Sequence, residues 1–321
     1  MRRLIHAIAL TVFASIALAQ PQPFPSRTVT IVNPFPPGGS TDAVARVMAQ
    51  RMAQTLGQSV VVENVGGAGG SIGAGRVARA APDGYTIDIG QWDNHVANGV
   101  VYNLNYDLQK DFEPIGLLTI NPQLILARKS LPADDLKGLV AWMKANPGKA
   151  TFAVQQASAQ VGGVLLGQLT GTSVLFVPYR GGGPAMQDLI AGHIDLLVIQ
   201  AAAAMPQVRA GTIKAFAILS PTRSPVVPGI PTADEAGVAG LYLPGWFGFF
   251  APKGTPRDVI AKLNAAMVEA LADPAVRVKL ADFGLDVAAR EQQTPEGFAA
   301  FHKSEIEKWW PIIKAAGIKV E

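Results

Sequence analysis

Residues Thr28 to Asp42 read TVTIVNPFPPGGSTD, and this stretch decides the fold class. Thr28 to Val32 alternates β-branched residues as a strand does, and Asn33 to Gly39 is rich in Pro and Gly as a turn is. Ser40 or Thr41 then reads as the N-cap of a helix whose apolar face is Val44, Val47, Met48 and Met52. The same unit recurs downstream. Ser59 to Glu63 (SVVVE) is a second strand, followed by the glycine-rich run Gly66 to Gly75 and a helix through Val77 and Ala78. After a turn at Pro82, Asp83 and Gly84, Tyr85 to Ile89 (YTIDI) is a third strand. Strands alternating with helices predict an α/β fold with largely parallel sheets.

Ile115 to Ala127 (IGLLTINPQLILA) is a long apolar run broken at Asn121 and Pro122, as expected of a chain crossing into a second lobe. There the alternation resumes. Strands are expected at 151–154, 173–177, 195–199 and 213–219, with helices over Val161 to Leu169 and from Met186. Leu241 to Ala251 (LYLPGWFGFFA) is the expected return strand, and the helices Asp258 to Ala270 and Pro295 to Ala315 pack back on the first lobe. The expected division is 20–122 with 244–321 as lobe 1 and 123–243 as lobe 2. Two crossings, near Ile120 to Gln123 and Leu243 to Gly245, make a hinge and predict a closing cleft.

The chain starts with Arg2 and Arg3 before an apolar run from Leu4 to Leu18, which is the pattern of a signal peptide, with cleavage expected after Ala19. That run is short of the ~20 residues that span a bilayer. The 321 residues contain no cysteine, which excludes disulfides, a thiol nucleophile and a lipid-anchored N-terminus. Beyond residue 19 the histidines are His95, His193 and His302, far apart, so no metal site is expected. With 27 basic and 24 acidic residues, less Arg2 and Arg3, the charge is close to zero, which argues against a nucleic-acid partner. A monomer, exported and free of the membrane, is expected.

Each lobe has a strand that ends in a Gly/Pro turn and feeds a helix: PFPPGGSTD at 34–42 and PYRGGGPA at 178–185. The first amides of a helix lack intrahelical partners and sit at the positive end of its dipole, so such a turn suits an anion. Gly38 and Gly39 permit close backbone approach, and Ser40 and Thr41 add hydroxyls. Either turn alone reads as an ordinary βα connection; one in each lobe, at the sheet edge where ligands of open α/β sheets bind, favours a carboxylate held between them. Trp92, just past the third strand, either gives the cleft an apolar wall or packs beneath it. Gly73, Gly75 and Ala78 fit G-x-G-x-x-A, but they lie too far beyond the strand to cradle a pyrophosphate, and no cofactor is expected. No G-x-S-x-G elbow surrounds Ser40, Ser71 or Ser158, and His95 reads as a packing residue, so no enzyme activity is expected.

These residues also carry a family resemblance. PFPPGGSTD at 34–42, VVEN and GGAGGSIGA at 61–74, APDGYT at 81–86, KDFEPIGLL at 110–118, VPYRGGGPAMQDLIAGHIDLL at 177–197 and WFGFFAPKGTP at 246–256 resemble the Bug-type (TctC-like) solute-binding proteins of tripartite tricarboxylate transporters. The resemblance covers nearly all of the chain after residue 19. It implies a two-lobe periplasmic binding protein of the Venus-flytrap, type II-like kind, which captures a small organic acid and presents it to a large and a small membrane subunit. It further implies a first-lobe ligand loop of Phe35, Gly38, Gly39, Ser40, Thr41 and Asp42, with Gly69 and Gly70 nearby, and a second-lobe wall of Tyr179, Arg180 and Gly181. Two departures bear on the ligand: Gln155, Gln156 and Ser158 stand where the family has a Ser/Gly-rich loop, and Gln200 where an acidic residue is frequent. With a neutral Gln200 there, the expected ligand needs no ammonium group. A receptor that docks on a membrane sensor kinase uses the same clamp and is the alternative reading.

Overall fold

The computed structural model describes residues 23–225 and 227–318, and the signal-peptide reading lies outside that range. Val29–Asn33 (β1) buries Val29, Ile31 and Val32 completely. After the Pro/Gly turn, Ser40–Leu56 (α1) buries Val44, Ala45, Met48 and Met52 on one face, which is the helical spacing of an amphipathic element. Gly57 ends it in the left-handed region, with φ 66°, and its N–H donates to Ala53 O. Val60–Asn64 (β2), Ser71–Ala78 (α2) and Thr86–Gln91 (β3) complete the unit, β2 and β3 both pairing parallel to β1. A π-helical turn, Asp93–Ala97, leads into the short Asn98–Val101 (α3).

The long apolar run is two strands, Phe112–Ile120 (β4) and Gln123–Arg128 (β5), with the break at Asn121 and Pro122 where the sequence placed it. The second lobe then follows as Leu136–Ala145 (α4), Thr151–Val154 (β6), Ala157–Thr170 (α5), Leu175–Pro178 (β7), Gly182–Ala191 (α6), Leu196–Gln200 (β8), Ala201–Arg209 (α7) and Ile213–Ile218 (β9). Trp246–Pro252 (β10) returns to the first lobe, followed by Arg257–Ala272 (α8), Pro274–Asp282 (α9), Asp286–Val287 (β11) and Pro295–Ala315 (α10).

Among the described residues the sheets have the orders β11-β4-β10-β3-β1-β2 and β7-β6-β8-β5-β9. They are mixed rather than largely parallel: β10 runs antiparallel to β3 and β4, and β5 antiparallel to β8 and β9. The reason is the crossings. A strand that arrives from the other lobe, without a helix to carry it back over its own sheet, enters from the opposite end. At the crossings Asn121 N donates to Gly245 O at 2.7 Å, and a side chain at Gly245 would run into Asn121 O. Trp246, Phe247, Phe249 and Phe250 of β10 are fully buried, each contributing roughly 1.5–3 kcal/mol of burial to the first-lobe core. α8 packs on α1 and β4, and α10 on β4, as expected for the C-terminal helices.

Candidate ligand cleft

The first-lobe turn is built around a carboxylate. Asp42 Oδ2 accepts from Gly38 N at 3.1 Å and Arg46 Nε at 3.0 Å, and Oδ1 accepts from Asn64 Nδ2 at 2.9 Å. Asn64 Nδ2 also donates to Phe35 O at 3.2 Å, which ties the turn to the end of β2. Burial raises the Asp42 pKa, but the bonds from Arg46, Gly38 and Asn64 outweigh it and bring it down to about 2. Asp42 thus shapes the loop from beneath rather than facing a ligand, and Thr41 is buried beside it.

The expected N-cap at Ser40 or Thr41 is corrected here. The N-cap of α1 is Gly39, without a side-chain capping bond. Ser40 is already inside the helix, and its Oγ instead donates across the cleft to Gln200 Oε1 at 2.6 Å. The glycine that needs its freedom is Gly38, with φ 86°; Gly39 has φ −81° and ψ 173°, open to any residue.

Phe35 and Gly70 lie against each other. A side chain at Gly70 would lie 2.9 Å from the Phe35 ring and 3.0 Å from Asn94 Cβ. Asn98 Nδ2 holds this corner by donating to Gly69 O and Ser71 Oγ, both at 2.9 Å. Trp92 is not a cleft wall. It is 1 % exposed and packs edge-on against Trp309, ring centroids 5.4 Å apart, because the chain leaves β3 through a π-helical turn that points the indole into the core. His95 is likewise a core residue, hydrogen-bonded to Asp88 at 2.6 Å and stacked on Phe250.

Asp93, which follows Trp92, reaches into the interface between the lobes. Its Oδ1 accepts from Ser158 N at 2.8 Å and its Oδ2 from Ser158 Oγ at 3.2 Å. Ser158 lies in the first turn of α5, whose helix starts four residues earlier than the periodicity predicts, so its amide is one of the unpaired N-terminal donors. Burial pushes Asp93 up to about 6 against the lowering effect of those bonds. Asp93 was not singled out from sequence; only the placement of α5 against the end of β3 reveals it.

In the second lobe, Gln155 Nε2 donates to Val198 O at 2.7 Å and Gln156 Nε2 to Ser158 Oγ at 3.0 Å, so both amides brace the start of α5. Gln200, at the end of β8, is the second bridge: besides accepting from Ser40 it donates to Gln91 Oε1 at 3.1 Å. The structure does not bring Tyr179, Arg180 and Gly181 into this network. The Tyr179 hydroxyl donates to Asp188 at 2.7 Å, and its pKa is pushed up to about 12 by burial and by that carboxylate. Gly181, φ 121°, is the N-cap of α6. Arg180 is exposed and makes no ion pair among the described residues. Asn33, Asn121 and Gln123, at the strand ends and the crossing, are buried with both amide atoms unpartnered among the described residues, so polar groups continue along the floor between the lobes.

Two sheets are joined by two crossings, with polar side chains from both meeting between them. The profile described as tripartite tricarboxylate transporter family receptor (TctC) matches residues 44–318, and the chain belongs to that family. Its members are periplasmic solute-binding proteins rather than enzymes. The chain is similar to MatC from Rhodopseudomonas palustris, solved with bound malate, at 42 % identity and a TM-score of 0.83 over 90 % of this chain and all of that one. It is also similar to a second R. palustris protein, solved with adipate, at 33 % identity and a TM-score of 0.86 over 92 % of this chain and all of that one. Protein BugT of Bordetella pertussis is 34 % identical over 330 residues, covering 100 % of this chain and 99 % of BugT. The family resemblance read from the sequence is therefore correct. Among the described residues no helix is long and apolar enough to cross a membrane.

Proposed function

We propose that this chain, exported and cleaved after Ala19, works as a monomeric receptor that takes up a small organic acid between its lobes. It then delivers the acid to the large and small membrane subunits of a tripartite tricarboxylate-type transporter. The observation that carries this reading is the bridge Ser40–Gln200–Gln91, which joins the first-lobe glycine turn to the end of a second-lobe strand across the cleft. A carboxylate entering there meets the first amides of α1, the Ser40 hydroxyl and the Gln200 amide. The malate and adipate found in the two R. palustris relatives support an acid ligand.

The test is thermal-shift screening of the protein from residue 20 onward against four- to eight-carbon mono- and dicarboxylates, followed by calorimetry. A ligand that binds only the native state raises its apparent stability by mass action, so at least one acid raises Tm in a concentration-dependent way. No shift with any acid overturns the reading. Co-purification of acid-loaded protein with the two membrane subunits tests delivery.

A further inference from the structure

The cleft holds a carboxylate of the chain's own. Asp93 is 3 % exposed, and its side chain accepts hydrogen bonds from one residue of the opposite lobe, Ser158, while no Lys, Arg or His pairs with it among the described residues. A buried carboxylate with a pair of hydrogen bonds and no cation is under-compensated, since each carboxylate oxygen has more than one acceptor position. Beside it, Asn94 is fully buried and its Nδ2 has no partner, with Cβ packed toward Gly70 of the first-lobe corner. Asp93 therefore stands between the Phe35–Gly70 corner of the first lobe and the start of α5 in the second.

We infer that Asp93 is a specificity-determining residue, which selects an acid carrying a donor group, an ammonium or a hydroxyl, toward the start of α5 and rejects one presenting a second carboxylate there. The physical reason is direct. A second carboxylate beside Asp93 brings two like charges into a low-dielectric cleft, whereas an ammonium supplies the missing counter-charge and a hydroxyl supplies a third hydrogen bond. A raised Asp93 pKa agrees with a carboxylate short of partners. This departs from the expectation, based on the neutral Gln200, of a ligand that needs no ammonium group, because an acidic side chain from the first lobe lies between the lobes. This inference rests on the acid-binding reading above.

Calorimetry at pH 7.5 compares succinate, malate and aspartate, and adipate, 2-hydroxyadipate and 2-aminoadipate, on the native sequence and on Asp93→Asn. The native protein binds the better donor-bearing acid of a series at least tenfold more tightly than the bare diacid. The relative affinities of the amino and hydroxy acids say which donor is used. Asp93→Asn, whose amide oxygen still accepts from the start of α5, lowers that preference at least tenfold. Asp93→Ser gives the same readout if the Asn variant fails to fold. Acid binding with a preference unchanged within twofold in the variants, or with the bare diacid preferred by the native protein, overturns the inference and leaves the acid-binding reading standing. Failure of all six acids to bind overturns the inference, and the acid-binding reading falls with it only if the wider screen also finds no acid that binds.

Discussion

Asp42 and Asp93 are both buried carboxylates just past strand ends of the first lobe, yet their titrations move in opposite directions, to about 2 and to about 6. Burial raises both. The difference is the partner set: Asp42 gathers a guanidinium, a backbone amide and a side-chain amide, all from its own lobe, while Asp93 has Ser158 alone, from the other lobe. The first turn is thus assembled whether or not the lobes meet. The bonds of Asp93 exist only when they do. One carboxylate belongs to the architecture of a lobe, and the other to the closed state of the clamp.

The largest effect comes from removing the first. Asp42→Ala leaves Gly38 N, Arg46 and Asn64 without their acceptor. A depression from 3.8 to about 2 converts to on the order of 2 kcal/mol, with solvent screening at the half-exposed Arg46 keeping it from being more. Because the folded pKa is the lower one, this stability is complete above the unfolded value and is lost as pH falls through the folded one. Denaturant melts at pH 7 and pH 2.5 check it: the gap between native and Asp42→Ala proteins narrows to roughly a third at the acid end, which lies between the two pKa values. An equal gap at both values would show that the turn is not held by this carboxylate.

The second carboxylate gives the opposite sign, in closure rather than folding. With the lobes apart Asp93 is solvated and titrates near its ordinary 3.8, and with the lobes together near 6, so the closed form binds the extra proton and is favoured as pH falls. Between pH 7 and pH 5 the closed-to-open ratio of ligand-free protein rises about tenfold, or about 1.4 kcal/mol. The groups facing Asp93 are Ser158 and the Tyr102 phenol, whose own pKa burial and Asp93 push up, out of this range. Small-angle scattering of ligand-free protein reads the change as a smaller radius at pH 5. A radius that does not depend on pH in the native sequence, or a dependence that survives in Asp93→Asn, would break the contrast.

Much of the fold was legible because burial writes itself into local pattern: the βα units of both lobes, the interruption at Asn121–Pro122 and the full extent of α10 follow from periodicity and proline alone. Strand direction was not, since the antiparallel sense of β5 and β10 depends on which end of a sheet a crossing chain enters. In the candidate site, the Ser40 turn was legible as a Gly/Pro connection after a strand, and Gln200 as a departure from the family resemblance. Asp93 and Trp92 were not. The π-helical turn after β3 buries both, setting the indole against Trp309 and the carboxylate against Ser158 of the other lobe, and no local pattern announces that turn.

Two neighbouring glycines sharpen the same comparison at the smallest scale. Gly38 donates its N–H to Asp42 from a left-handed backbone, φ 86°, and has no atom within 4 Å of where a side chain would start, so conformation alone sets the cost of Gly38→Ala at about 1 kcal/mol. Gly39 is different in kind. Its φ of −81° suits any residue, and an added Cβ would meet only Pro36 O, at an ordinary 3.9 Å. Gly39→Ala therefore changes stability by no more than about 0.5 kcal/mol, even though its position at the start of α1 places the new methyl where a ligand carboxylate would approach the helix amides. Paired denaturant melts and acid titrations separate the two: Gly38→Ala lowers the midpoint, whereas Gly39→Ala holds it and weakens binding. Loss of stability in Gly39→Ala would mean that the turn has a tighter backbone requirement than the contact with Asp42 imposes.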